Sequence, residues 1–296
     1  MRRIGTALIG LPILWGLIKF TSPLVWFLLG LVVTCLASWE LLSLLKQGGH
    51  RVYRGLGLVG CAASLVPFID PRLDTALPVV ATGALAIIAS ALLAKDFAEA
   101  VDGALCTVFS VAFVGLNLGY QIALRSMSYS AEAAGAIPAT WTGTVPFEWR
   151  LATSSADALG QDLLCLLLFV VWSGDTAAFV FGKLYGRTPL AARVSPKKTV
   201  EGALAGIAAS ALAGWIAHLW FFHRLPAGHA VAVGVLLGVA GIVGDLAESV
   251  VKRAAGAKDS SGLLPGHGGI LDRVDSLLVA GPALYYYHRI FLMGRI

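Results

Sequence analysis

Of 296 residues, 57% are hydrophobic, only 13% are charged and 34 are glycine, with a mean hydropathy of +0.80; this excludes an ordinary soluble domain or a disordered chain and indicates a polytopic membrane protein. The net charge of +5 and pI near 9.1 would suit a nucleic acid if the cations were clustered. They are spread over short loops, so no nucleic-acid partner is expected, and anionic headgroups and nucleotide phosphates fit better.

Apolar runs at 4 to 20, 24 to 45, 54 to 69, 76 to 94, 104 to 124, 162 to 182, 202 to 222, 230 to 251 and 270 to 291 predict an all-α fold of about nine transmembrane helices, each crossing a core about 30 Å thick. The run at 54 to 69 is the shortest. Met1, Arg2 and Arg3 before an apolar run imitate a signal peptide, but no small-residue cleavage site follows, so an uncleaved first helix is expected. With nine spans, most of the 22 Lys and Arg residues share the side of the N-terminus, which places it in the cytoplasm together with the loops after the sixth and eighth runs. Cys35, Cys61, Cys106 and Cys165 lie inside apolar runs without C-x-x-C spacing and read as small buried hydrophobes.

The first five runs carry little chemistry. Glu40 is a lone acid near the end of the second and reads as helix-end solvation, while Trp26 and Trp39 read as interfacial anchors or packing. Lys95, Asp96, Glu99 and Asp102 read as a solvated connector. From Arg125 to Asp157 a polar segment with Pro138, Trp141, Pro146, Phe147 and Trp149 is expected to lie on the outer membrane surface.

Asp175 is an acid inside the sixth apolar run, which marks either a functional position or a packing hydrogen bond shared with Thr176. Residues 182 to 202 then lack the spacing of a P-loop. They offer three glycines, five cationic side chains, and Ser195, Pro196, Lys197, Lys198 and Thr199 opening onto the next helix. Helix N-termini and adjacent lysines attract phosphate, so this is a phosphate loop or a positive-inside loop. His218, Trp220, His223 and Arg224 read as an interfacial cluster rather than a zinc pair, and Tyr285 to Arg289 as an aromatic belt with a basic edge.

The richest stretch is Gly244 to Asp275. Its nine ionisable side chains would cost on the order of 20 kcal/mol in lipid at roughly 2.5 each, so they must border water or line a polar cavity. Asp245, Glu248, Ser249 and Lys252 fall on one helical face, Gly262 to Gly269 forbid regular structure around His267, and Asp272 and Asp275 are one turn apart as the next apolar run begins. Two carboxylate pairs flanking a basic, Gly-rich loop suit a hard cation such as Mg²⁺, leaving Lys and Arg for phosphates. At about 1.5 Å per residue, Ala230 to Asp245 spans roughly 22 Å, which places Asp245 in the inner half of the core.

Here the chain resembles the phosphatidate cytidylyltransferase (CDP-diacylglycerol synthase) family. The signature S-x-x-K-R-x4-K-D-x-[small]-x2-[apolar]-P-x-H-G-G-x-x-D-R-x-D is filled by Ser249, Lys252, Arg253, Lys258, Asp259, Ser261, Leu264, Pro265, His267, Gly268, Gly269, Asp272, Arg273 and Asp275. The upstream pair D-T-x-A-[aromatic]-x-x-G and S-P-K-K-T-x-E-G is filled by Asp175, Thr176, Ala178, Phe179, Gly182, Ser195, Pro196, Lys197, Lys198, Thr199, Glu201 and Gly202. The likeness thus covers about 172 to 275, and the first half matches only as apolar spans.

The resemblance implies joining CTP to phosphatidic acid, giving CDP-diacylglycerol and pyrophosphate, by an integral protein of the plasma (bacterial inner) membrane that forms a homodimer. Residues 1 to 160 would then be scaffold with lipid access, and 161 to 296 would carry the catalytic loops. Asp245, Asp272 and Asp275 are expected at Mg²⁺, alone or with a second cation. Lys252, Arg253, Lys258 and Arg273 are expected at phosphates; His267 contacts phosphate or orders its loop, and Asp259 is a ligand or the partner of Lys258. Ser195, Lys197, Lys198 and Thr199 are expected at the nucleotide, with Asp175, Glu201 and Ser249 completing the substrate set. Two alternatives stand beside this reading: the same chemistry on another lipid phosphate, such as an archaeal ether lipid or a polyprenyl chain, and a transporter whose membrane acids carry protons or cations.

Overall fold

The structure is a computed structural model that describes residues 14–21, 23–69, 74–93, 96–127, 159–263 and 268–293. Lys95, His267 and almost all of the polar segment between Arg125 and Asp157 lie outside the described residues. Among the described residues the fold is all-α apart from one small hairpin. Five helices among these residues are long and apolar enough to cross a membrane: Leu24–Gln47, Phe97–Arg125, Leu159–Tyr185, Val200–Trp220 and Ala227–Ala254. Arg54–Phe68 and Leu77–Ser90 are apolar but shorter, so the other expected spans fall on shorter helices or outside the described residues. Val231, Val235, Val239 and Val243, four residues apart on one helix, are all exposed, a stripe suited to lipid rather than water.

The described residues divide into two compact units, one up to Ser126 with Val251–Val274, the other comprising Met127, 159 to Val250 and 275 onward. In the first, α1 (Pro23–Gln47) is followed by α2 (Arg54–Ala63), a 3₁₀ turn at Val66–Phe68, and α3 (Leu77–Leu93). Next, α4 (Phe97–Ser110) runs through a π-helical segment, Val111–Leu116, into α5 (Asn117–Arg125). At the π segment a Cβ on Gly115 would lie 2.8 Å from the Cα of Cys61, so glycine lets α2 approach. The Asn117 side-chain amide donates to the carbonyls of Ala112 and Phe113 at 3.3 and 2.9 Å, covering acceptors that the widened turn disturbs.

Two expectations for this unit are corrected. The connector acids are not simply solvated: Asp96 caps α4 by accepting from Glu99 N at 2.8 Å, and Glu99 pairs with Arg51. Asp102 accepts from Arg51 N at 2.8 Å and lies 2.8 Å from His50 Nδ1, docking the α1–α2 turn on α4. Glu40 does not end in solvent either; it is buried and fully engaged in hydrogen bonds. Trp26 is buried, whereas exposed Trp39 stacks 5.0 Å from the Arg54 guanidinium.

The second unit contains α6 (Leu159–Tyr185), the antiparallel strands β1 (Pro189–Ala191) and β2 (Ser195–Thr199), and α7 (Val200–Trp220). It also holds α8 (Ala227–Ala254) up to Val250 and α9 (Leu271–Tyr287) from Asp275. Small residues set its packing: a Cβ on Gly206 would meet the Gly174 carbonyl at 3.0 Å, and one on Gly234 the Ser210 carbonyl at 2.4 Å. His218, in the last turn of α7, and His223, in the connection to α8, are structural, His218 Nδ1 donating to Leu225 O at 2.7 Å and His223 Nδ1 to His218 O at 2.9 Å. The expected aromatic belt is only partly outward: Tyr286 is exposed, but Tyr285 and His288 are buried and Tyr287 bonds His229 at 2.8 Å. Cys61 and Cys165 are buried as expected, while Cys35 and Cys106 are half-buried.

Candidate active site

The closest backbone approach at the site is made by Gly244, whose absent Cβ would sit 2.3 Å from the carbonyl oxygen of Asp275. Lacking a side chain there, α8 lies directly on α9, and the residues beside the contact are acidic. Asp245, Glu248 and Asp275 each present a carboxylate oxygen within 4.8 Å of the others. Glu248 is completely buried, and Asp245 and Asp275 are half-buried. Charges about 4 Å apart repel by roughly 4 kcal/mol per pair at an effective dielectric of about 20, so the cluster favours a bound positive charge. An all-oxygen donor set of this kind fits a hard divalent cation.

Neighbouring groups extend the cluster. Ser249 Oγ, one turn along α8, points to Asp245 at 3.5 Å, and Asp275 accepts from Ser276 N at 2.6 Å. Ser276 Oγ donates to Asp175 of α6 at 3.3 Å. Asp175 also lines a hollow of about 10 Å³ with Gly174, Gly206, Ser210, Gly238 and Gly241. That volume admits about one water and no nucleotide.

The hairpin brings the cations. Lys198 of β2 forms an ion pair with Asp245, while Lys197 and Pro196 are exposed. Thr199 caps α7, accepting from Gly202 N at 3.2 Å, and Glu201 braces the preceding turn by accepting from Arg187 N at 3.1 Å and Thr188 Oγ1 at 2.9 Å. Ser195 is half-buried at the start of β2. Thr199 and Glu201 therefore build the hairpin, Lys197 is its exposed charge, and Lys198 is turned onto Asp245 with its ammonium nitrogen buried.

Asp272 belongs to another set of contacts. It accepts from Lys252 Nζ at 2.7 Å, Ser260 N at 3.0 Å, Ser260 Oγ at 2.9 Å and Gly269 N at 2.7 Å. It thus closes the loop between α8 and α9. Gly268 has φ +78°, in the left-handed region that glycine adopts readily. Arg253 Nη1 donates to Ala257 O at 2.9 Å, and Arg253, Lys258, Asp259 and Arg273 are exposed around this loop.

The structure therefore brings Asp245 and Asp275 together, adds Glu248, and sets Lys198 beside them, while Asp272 engages Lys252. Glu248 was visible in the helical stripe, and its i, i+3 spacing from Asp245 was the signal for it.

Long apolar helices that carry a partly buried carboxylate cluster define an all-α integral membrane protein. The chain belongs to the cytidylyltransferase family, whose family model matches residues 1–291. It is similar to the phosphatidate cytidylyltransferase of Synechocystis sp., 44% identical over 130 residues, covering 42% of this chain and 43% of the relative. The phosphatidate cytidylyltransferase of Brucella suis is 46% identical over 136 residues, 46% of this chain and 50% of that one. That of Bacillus subtilis is 37% identical over 145 residues, 49% and 54% of the respective chains. The chain spans about half the length of the curated relatives it matches.

Proposed function

We propose that this protein transfers the cytidylyl group of CTP to phosphatidic acid, giving CDP-diacylglycerol and pyrophosphate. The observation that carries the reading is the Asp245, Glu248 and Asp275 cluster with Lys198 paired to it, on helices that border lipid. The names of the relatives support the same substrates.

In this reading a phosphatidate oxygen attacks the α-phosphorus of CTP in line, the bond to the β-phosphate oxygen breaks, and pyrophosphate leaves with the electron pair. The attacking oxygen is already ionised at neutral pH, so no side chain need act as base. Catalysis is then positioning and charge neutralisation. Lys197 and Lys198 draw the nucleotide's phosphates to the hairpin, and Lys258, Arg253 and Arg273 face phosphate from the loop. Asp245, Glu248 and Asp275 would hold a divalent cation, Mg²⁺ in our proposal, which supplies countercharge to the phosphates when bound. Asp272 and Lys252 keep the loop in shape, and Asp175 and Ser249 orient the cluster's carboxylates. An active-site side facing the cytoplasm of the bacterial inner membrane, and a second copy of the chain as partner, belong to the same proposal.

The test is conversion of labelled CTP to a lipid-extractable product by purified full-length protein in lipid nanodiscs. Product with phosphatidate, and none with an ether-lipid or polyprenyl phosphate, is the expected result. Product only with another lipid phosphate, or none at all, overturns the substrate assignment.

A further inference from the structure

Glu40 stands on α1, more than two hundred residues before the signature loop, and is buried, with only 3% of its surface exposed. Its carboxylate is nevertheless met by four groups of that loop. Ser261 Oγ donates at 2.6 Å, Leu271 N at 2.8 Å and Ile270 N at 3.1 Å, and Ser260 Oγ, whose one proton is shared with Asp272, lies 3.0 Å away. The two amides stand at the start of α9, where they lack partners within the helix, and a carboxylate there also answers the helix dipole.

Two contacts show that the fit is built. A Cβ on Gly269 would fall 2.3 Å from Glu40 Oε2, so a larger residue there would have to push the carboxylate aside. Two turns along, a Cβ on Gly48 would lie 3.3 Å from the Ala254 carbonyl, so the end of α1 also braces the end of α8. The loop is therefore held at both shoulders by one helix of the first half. A carboxylate without its lipid- or solvent-facing role, spending every acceptor on one loop, has a clear task.

We infer that Glu40 is a positioning residue for the proposed transfer. It fixes the loop that carries Lys258 and the first turn of α9, which bears Asp272 and Arg273 and leads one turn on to Asp275. The inference rests on the transferase reading. Because Glu40 touches the loop and not the hairpin assigned to the nucleotide, its loss acts on turnover more than on CTP affinity.

Glu40→Gln keeps the shape but sets an NH₂ against donors, and Glu40→Asp keeps the charge but shortens the reach. In the full-length protein, amide hydrogen exchange at 260–263 and 268–272 should accelerate about tenfold or more in Glu40→Gln, with α6 and α7 unchanged. Turnover should fall on the order of 100-fold, KM for CTP should stay within about threefold, and Glu40→Asp should recover part of the turnover. Ser261→Ala, a milder variant, should lose less, and its effect should largely vanish on top of Glu40→Gln. Unchanged exchange in the loop, or a raised KM with turnover intact, overturns the inference. A wild-type chain inactive toward CTP whose loop still depends on Glu40 would overturn the transferase reading and leave the anchoring role standing.

Discussion

Lys198 of β2 and Asp245 of α8 form an ion pair, so the basic hairpin after α6 is tied to the acidic face of α8. The two side chains are 27% and 32% exposed, but the Lys198 ammonium nitrogen itself is buried, so a ligand's phosphate would have to displace Asp245 to reach it. Lys198→Met should raise KM for CTP by about tenfold, the worth of one charge-assisted hydrogen bond. Steady-state kinetics at fixed phosphatidate check this, and an unchanged KM removes Lys198 from the nucleotide site.

Lys252 and Asp272 make a drier pair, their side chains only 11% and 10% exposed. Removing one partner leaves the other's charge buried, at a cost of about 3 to 5 kcal/mol. Asp272→Asn should therefore lower the thermal unfolding midpoint in detergent markedly. Its effect on Mg²⁺ affinity should be smaller than that of Asp275→Asn, because Asp272 is committed to Lys252, Ser260 and Gly269.

Gly244→Ala sets a methyl group 2.3 Å from a backbone carbonyl that cannot rotate away. Separating α8 from α9 should cost about 1 to 3 kcal/mol and weaken cation binding with it. Gly241→Ala is the internal control, since its Cβ would meet nothing closer than 3.6 Å. Equal loss in both variants contradicts the close-contact account.

Local patterning carried much of this structure. The i, i+3 acids of α8 and α9 and the apolar runs are written in spacing, and the helices follow them. What spacing does not encode is which distant groups meet. Glu40 looked idle because its partners lie some 220 residues away in sequence. Glu99 and Asp102 resembled a solvated turn because their partners, Arg51 and its neighbour His50, belong to another connection, while Asp96 caps its own helix. The hairpin escaped notice because strands of three and five residues rich in Pro and Lys have no alternating apolar pattern. Asp272 and Asp275 share a helix face by sequence, yet the Lys252 ammonium and the loop amides claim the first.

The most direct measurement is pyrophosphate release from CTP and phosphatidate as Mg²⁺ is titrated, for wild-type, Glu248→Gln and Asp275→Asn proteins. Chelation should abolish release by the wild type, and added Mg²⁺ should restore it. Each variant should need at least about tenfold more Mg²⁺, since losing a ligand costs no less than losing a residue that supports one. Variants that titrate like the wild type, or release that persists under chelation, would contradict a cation held by Asp245, Glu248 and Asp275.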